Sequence, residues 1–175
     1  MIRYERLLPI VLGVADGILN ALTLASASLL TQDGAIGVGL AIRVAIAAFA
    51  TAAFVFFVAQ YADYRGQLVT AARHMSLRTS RRLTSTGIGS AIMRDAFAGT
   101  LITGCASFPG ALIPLLIAAF IPSASWIAVP IAIAMLAALG AIVARVIDGA
   151  VLRWSIVLAA GGVLMTGIGY ELKIA

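Results

Sequence analysis

The chain has 175 residues, of which 62% are hydrophobic and only 11% charged, with a formal net charge of +5. Soluble domains run at about 45–50% apolar and about 25% charged, so most of this length belongs in a bilayer, and no polar stretch is long enough to fold a soluble catalytic domain. The basic residues sit in short segments between apolar runs, which is a topology signal rather than a nucleic-acid footprint. A single cysteine, Cys105, excludes an internal disulfide.

Five apolar runs, 7–30, 44–62, 96–121, 126–144 and 154–170, are each close to or above the ~17–25 residues a spanning helix needs. The predicted fold is an all-α integral membrane protein with five transmembrane helices in a single domain. The first run is too long for the apolar core of a cleavable signal and has no short polar stop after it. Turn signals follow the first, third and fourth runs: Gln32-Asp33-Gly34, Pro122-Ser123 and Asp148-Gly149. Arg3, Arg6, a basic segment over 65–95, Arg145 and Arg153 fall on one side, against Arg43 and Lys173 on the other. That asymmetry predicts an inside N-terminus and an outside C-terminus, in the cytoplasmic membrane of a prokaryote or in an organelle membrane.

The first run contains one ionisable residue, Asp16, nine steps or about 13 Å from Leu7 and so near mid-membrane. A carboxylate there costs roughly 2.5–3.5 kcal/mol and marks a functional position by default. Gly13, Asp16, Asn20, Thr23 and Ala27 recur at steps of three and four and form a small, polar stripe on an oily helix. Asp16 and Asn20 offer oxygens to a cation; the alternative is a protonated or Arg-paired Asp16 that only joins helices. In the second run Phe56, Gln60, Asp63 and Gln67 share a face. Gln60 and Asp63 extend a polar path toward the inner edge, or else Asp63 is a solvated end residue. Tyr61 and Tyr64 fit interfacial aromatics, and Arg43 at the outer end snorkels to headgroups.

Residues 70–82 of the basic segment read as an amphipathic surface helix, attracted to anionic lipid by about 1 kcal/mol per basic group. His74 beside Met75 is a weak metal signal. The third run carries Thr100, Thr103, Ser107, Gly110 and Pro114 on one face, with Cys105 off that stripe as a structural thiol. Its Pro109 and Pro114 free backbone carbonyls, which a span tolerates where they line a cavity or find neighbours. Pro130, Ala134, Ala138 and Ala141 in the fourth run, and Gly161 and Gly169 in the fifth, read as packing surfaces, with Met135 and Met165 as core.

Taken together, these landmarks resemble the vacuolar iron transporter family of divalent-cation transporters. Leu12-Gly13-Val14-Ala15-Asp16-Gly17-Ile18 is similar to the family's first-helix Leu-Gly-x-Asn-Asp-Gly-Ile. Ala59-Gln60-Tyr61-Ala62-Asp63-Tyr64-Arg65-Gly66-Gln67 resembles its second-helix Gly-Glu-Tyr-x-Ser-x-Ser-Ser-Gln, and Gly110-Ala111-Leu112-Ile113-Pro114-Leu115 its third-helix Gly-Ala-x-x-Pro-Leu. Leu139-Gly140-Ala141 with Arg145, and Gly167-x-Gly-Tyr170, sit where the last two helices have comparable pieces. The departures fall on the second helix: the family's Glu is Gln60, its nearby Met is Phe56, and its Ser is Asp63. Ala15 replaces the Asn before the first-helix Asp, and a basic segment replaces the Glu-rich cytoplasmic domain. Of the family's transport residues, Asp16 and Tyr61 carry over by identity.

The resemblance implies five spans, a homodimer, and transport of Fe²⁺ or Mn²⁺ out of the cytoplasm in exchange for protons. The expected metal ligands are Asp16, Asn20, Gln60, Tyr61 and Asp63, with Asp63 restoring one turn lower the charge absent at Gln60. Oxygen ligands without thiolates suit Mn²⁺ and Fe²⁺. No tightly bound cofactor, no nucleic-acid partner and no enzymatic activity are expected; the partners are the bilayer, the transported cation and protons. The alternative, motivated by Phe56 and Gln60, is a non-transporting scaffold or regulatory protein that keeps the transporter fold.

Overall fold

A computed structural model of the protein describes residues 2–28, 37–74, 87–121 and 126–172. They form five helices: α1 (Ile2–Ser28), α2 (Val38–His74), α3 (Gly87–Phe120), α4 (Ala128–Val146) and α5 (Val151–Leu172). Among the described residues there is no strand. Each helix contains a stretch long and apolar enough to cross a membrane: Leu7–Ser26, Val38–Gln67, Arg94–Phe120, Ala128–Val146 and Val151–Glu171. Large apolar side chains such as Phe54, Leu152 and Leu164 lie two-thirds or more exposed. On a soluble protein such a surface would be covered by a partner; here it is the surface a bilayer wets.

Each of the five expected runs coincides with a helix over its described residues, with 29–30 outside them, and α2 and α3 continue well beyond their runs. With 37 and 34 residues, α2 and α3 extend to about 55 and 51 Å at ~1.5 Å per residue, against a hydrocarbon thickness of ~30 Å. The basic segment therefore does not begin as a separate surface helix: residues 70–74 continue α2. Nothing in Gln67-Leu68-Val69-Thr70-Ala71-Ala72-Arg73 breaks a helix. Residues 75–86, with Met75, Arg78, Arg81 and Arg82, lie outside the described residues, as do the expected turns at Gln32-Asp33-Gly34 and Pro122-Ser123.

Glycine contacts fix the helix directions. Gly13 and Gly17 of α1 meet Thr103 and Ser107 of α3, so the two helices advance together and run parallel. Gly99 and Gly104 of α3 meet Phe56 and Phe49 of α2, so α2 runs the other way. Gly140 of α4 meets Trp154, while Leu136 meets Gly162, which makes α4 and α5 antiparallel. Gly162 and Gly169 of α5 meet Leu22 and Ser26 of α1. Odd helices thus point one way and even helices the other, as five successive crossings require. The core is built from small residues: Ala21, Ala25, Ala45, Ala48, Ala111 and Ala118 are buried around Leu115. Small side chains let helix backbones approach where no hydrophobic gradient drives them together.

The expected turn at Asp148-Gly149 joins α4 to α5. The Gly149 N–H donates to the Ala144 carbonyl at 2.8 Å, closing the last turn of α4, and Asp148 takes a left-handed φ of 51°. That position favours glycine because a Cβ is strained there. Asp148→Gly is expected to raise stability in a detergent thermal melt by about 1 kcal/mol or less; a lower melting temperature would mean that the carboxylate has its own role in the turn.

Candidate functional site: a polar seam where α1 meets α2 and α3

The seam exists because α1 and α3 touch backbone to backbone. A Cβ at Gly13 would collide with the Thr103 carbonyl, and one at Gly17 with the Ser107 carbonyl. From the other side, a Cβ at Gly110 would lie 2.8 Å from the Val14 carbonyl. At this separation the short Ser107 side chain reaches across. Its Oγ donates to Asp16 Oδ2 at 3.4 Å, and Asn20 Nδ2 donates to the same oxygen at 3.1 Å from one turn along α1. Ser107 is fully buried, while Asp16 and Asn20 are half-buried. The expected stripe of Thr100, Thr103, Ser107, Gly110 and Pro114 is buried along its whole length. Thr100 and Thr103 bond the carbonyls of Ala96 and Gly99.

Asp16 has no basic partner among the described residues, where the only ion pair is the exposed Arg94–Asp95 contact. The Arg-paired reading of Asp16 therefore has no support in the described residues. With Nδ2 on Asp16, the Asn20 side-chain oxygen keeps its acceptor capacity. Asn20 also lines an open cleft of about 240 Å³, together with Thr23 and Leu24 of α1 and Val44, Ala47, Ala48 and Thr51 of α2. The Thr23 hydroxyl donates to the Asn20 carbonyl at 2.8 Å, and the Thr51 hydroxyl bonds the Ala47 and Ala48 carbonyls at 3.0 and 3.1 Å. Each hydroxyl oxygen keeps lone pairs for another group. The seam thus offers a carboxylate, an amide oxygen and hydroxyl oxygens, with no sulfur or imidazole among them. That donor set suits a hard cation or a proton.

The expected second-helix ligands lie elsewhere. Gln60 Nε2 donates to the Tyr64 hydroxyl at 3.4 Å, and Gln67 Nε2 donates to Asp63 Oδ2 at 3.0 Å. Tyr61 is exposed and stacks on Phe57, ring centroids 6.2 Å apart. Since Phe56 meets Gly99 across antiparallel helices, Gln60 comes level with α3 near residue 95, whereas Asp16 is level with Ser107. About twelve residues of helix separate the two levels, or roughly 18 Å. Within the chain the five expected ligands therefore form two groups, Asp16 with Asn20 and Gln60 with Tyr61 and Asp63. Among the described residues no three His, Cys, Asp or Glu side chains gather into a metal-binding group.

Phe56, where the resembled family has Met, is buried with its ring 2.7 Å from where a Gly99 Cβ would stand, so it serves α2–α3 packing. Cys105 is exposed rather than packed in the interior. His74 ends α2, and its side chain lies outside what the structure describes. Two seam residues are not joined to Asp16 by the sequence reading. Ser107 was visible as part of a stripe, and the matched four-residue spacing of Gly13/Gly17 with Thr103/Ser107 is the signal that would have paired it with Asp16. Thr51 gives no such signal in its Ala-rich surroundings. No protein-family model, curated protein or solved structure matches the chain.

Proposed function

We propose that this protein is a secondary transporter that moves a divalent cation, Fe²⁺ or Mn²⁺, out of the cytoplasm in exchange for protons. One observation carries the reading: a carboxylate in the middle of an apolar span, without a basic partner among the described residues, held by an amide and a hydroxyl beside an open cleft. Mid-membrane carboxylates of this kind mark ion pathways. Asp16 is the ligand that alternates between cation and proton, and Asn20 and Ser107 orient it. The resemblance of the Asp16 motif to the vacuolar iron transporter family supports the choice of cation, and the arginine distribution supports an inside N-terminus.

A homodimer completes this reading. The cleft is open on the α2 side, where Ala47 and Thr51 are exposed small residues, and small faces favour close helix contact. Gln60, Tyr61 and Asp63 then form a separate inner station on the route to Asp16. The separation of these two groups within a protomer is also the observation that favours the second reading, a scaffold or regulatory membrane protein without transport.

The test is cation flux in proteoliposomes. Mn²⁺ or Fe²⁺ entry against an imposed pH gradient, abolished when the gradient is collapsed, is the expected result. Cation flux no greater than in protein-free vesicles, with or without a gradient, would support the scaffold.

A further inference from the structure

A second concavity lies on the opposite flank of α1, away from the polar seam. Leu7, Leu8 and Val11 form one wall and Ile142, Val143 and Val146 of α4 the other, around an apolar groove of about 60 Å³. Leu7 begins the apolar stretch of α1 and Val146 ends that of α4. The mouth of the groove therefore lies at the edge of the hydrocarbon layer, and its far end is about 6 Å deeper, the rise from Leu7 to Val11. An outward-facing apolar slot at this depth meets lipid tails.

Two arginines lie at this end of the molecule. Arg145 is exposed and sits one turn beyond Ile142 of the groove wall. Arg153, also exposed, follows at the same end of the molecule, across the short α4–α5 turn. Neither has a carboxylate partner among the described residues, and Asp148 in the turn pairs with neither. A free guanidinium presents a planar fork that matches phosphate oxygens.

We propose that this groove is a binding site for an anionic phospholipid. One acyl chain lies between Leu7, Leu8 and Val11 and the α4 wall, the phosphate sits on Arg145, and Arg153 supplies a second positive charge. A zwitterionic lipid offers the same tail and phosphate, but its headgroup cation is repelled by the two arginines. The site is independent of Asp16 and of any transport activity.

Native mass spectrometry of the detergent-solubilised protein tests it, with dioleoylphosphatidylglycerol and dioleoylphosphatidylcholine titrated separately. The expected result is about fivefold tighter binding of phosphatidylglycerol, the effect of one basic group at a membrane surface. Arg145→Gln is expected to bring the two lipids to near-equal affinity. Val143→Trp fills the groove and should weaken both. Arg43→Gln removes one charge from an exposed site on α2 and should leave the preference unchanged. An undiminished preference in Arg145→Gln, or an equal loss in Arg43→Gln, would overturn the proposal, since binding would then follow net charge alone. Displacement of the lipid by free glycerol 3-phosphate at equal concentration would overturn the acyl-chain half.

Discussion

Asp16→Asn is expected to give a folded, membrane-inserted protein that no longer moves metal. The amide keeps the size of the carboxylate and one oxygen. Asn20 Nδ2 and the Ser107 hydroxyl, which now donate to Asp16 Oδ2, both retain an acceptor in the variant. No described basic group lies against Asp16, so the roughly 3–5 kcal/mol cost of stranding a buried cation does not arise. Replacing a mid-membrane carboxylate by a neutral group also removes part of its insertion penalty. The detergent melting temperature should therefore hold or rise. What is lost is the negative charge and the exchangeable proton. A loss of about 3 kcal/mol in attraction for a cation corresponds to a fall of about 100-fold in affinity, and coupling to a pH gradient should vanish with it. Proteoliposome flux and a thermal melt on the same preparation separate the readings. Unchanged flux alongside a large drop in melting temperature would show that Asp16 only ties α1 to α3.

The outline of the fold was open to reading because lipid imposes a simple length rule. A chain with five apolar runs of about 20 residues has few ways to arrange them, and all five are found as helices. The ends of α2 and α3 were not legible by the same rule. Hydropathy marks where a helix leaves the hydrocarbon, not where its backbone hydrogen bonding stops, and α2 runs on through residues 63–74. The site divides in the same way. Asp16 and Asn20 were visible because i and i+4 positions on one helix always meet, and their hydrogen bond is local. Ser107 lies 91 positions away, and its contact depends on how close two backbones come. Gln60, Tyr61 and Asp63 were grouped with Asp16 by the order of motifs in a resembled family. The register of α2 against α3, set by Phe56 over Gly99 and Phe49 over Gly104, keeps them apart within the chain, and no property of either helix alone reveals that register.

Gly17→Ala should be among the most damaging one-carbon changes in the protein. Considered as a helix substitution it ought to help, since alanine is about 1 kcal/mol better than glycine in a helix interior. The surroundings reverse the sign. The added Cβ collides with the Ser107 carbonyl and would also stand 2.8 Å from the Ala111 backbone nitrogen. Both obstacles are backbone atoms of α3, which cannot swing aside as a side-chain tip can. The helices must separate, at an overpacking cost of roughly 1–3 kcal/mol. Separation also lengthens the Ser107–Asp16 hydrogen bond, already 3.4 Å, so metal affinity should fall together with stability. Gly161→Ala and Gly167→Ala are the matched controls, since nothing lies within 4 Å of a Cβ at either position. They should leave the melting temperature unchanged or raise it by up to about 1 kcal/mol equivalent. Thermal melts of the three variants measure the difference directly. If Gly17→Ala melts with the controls, the α1–α3 contact is looser than the glycine crossing requires, and Ser107 is not held against Asp16.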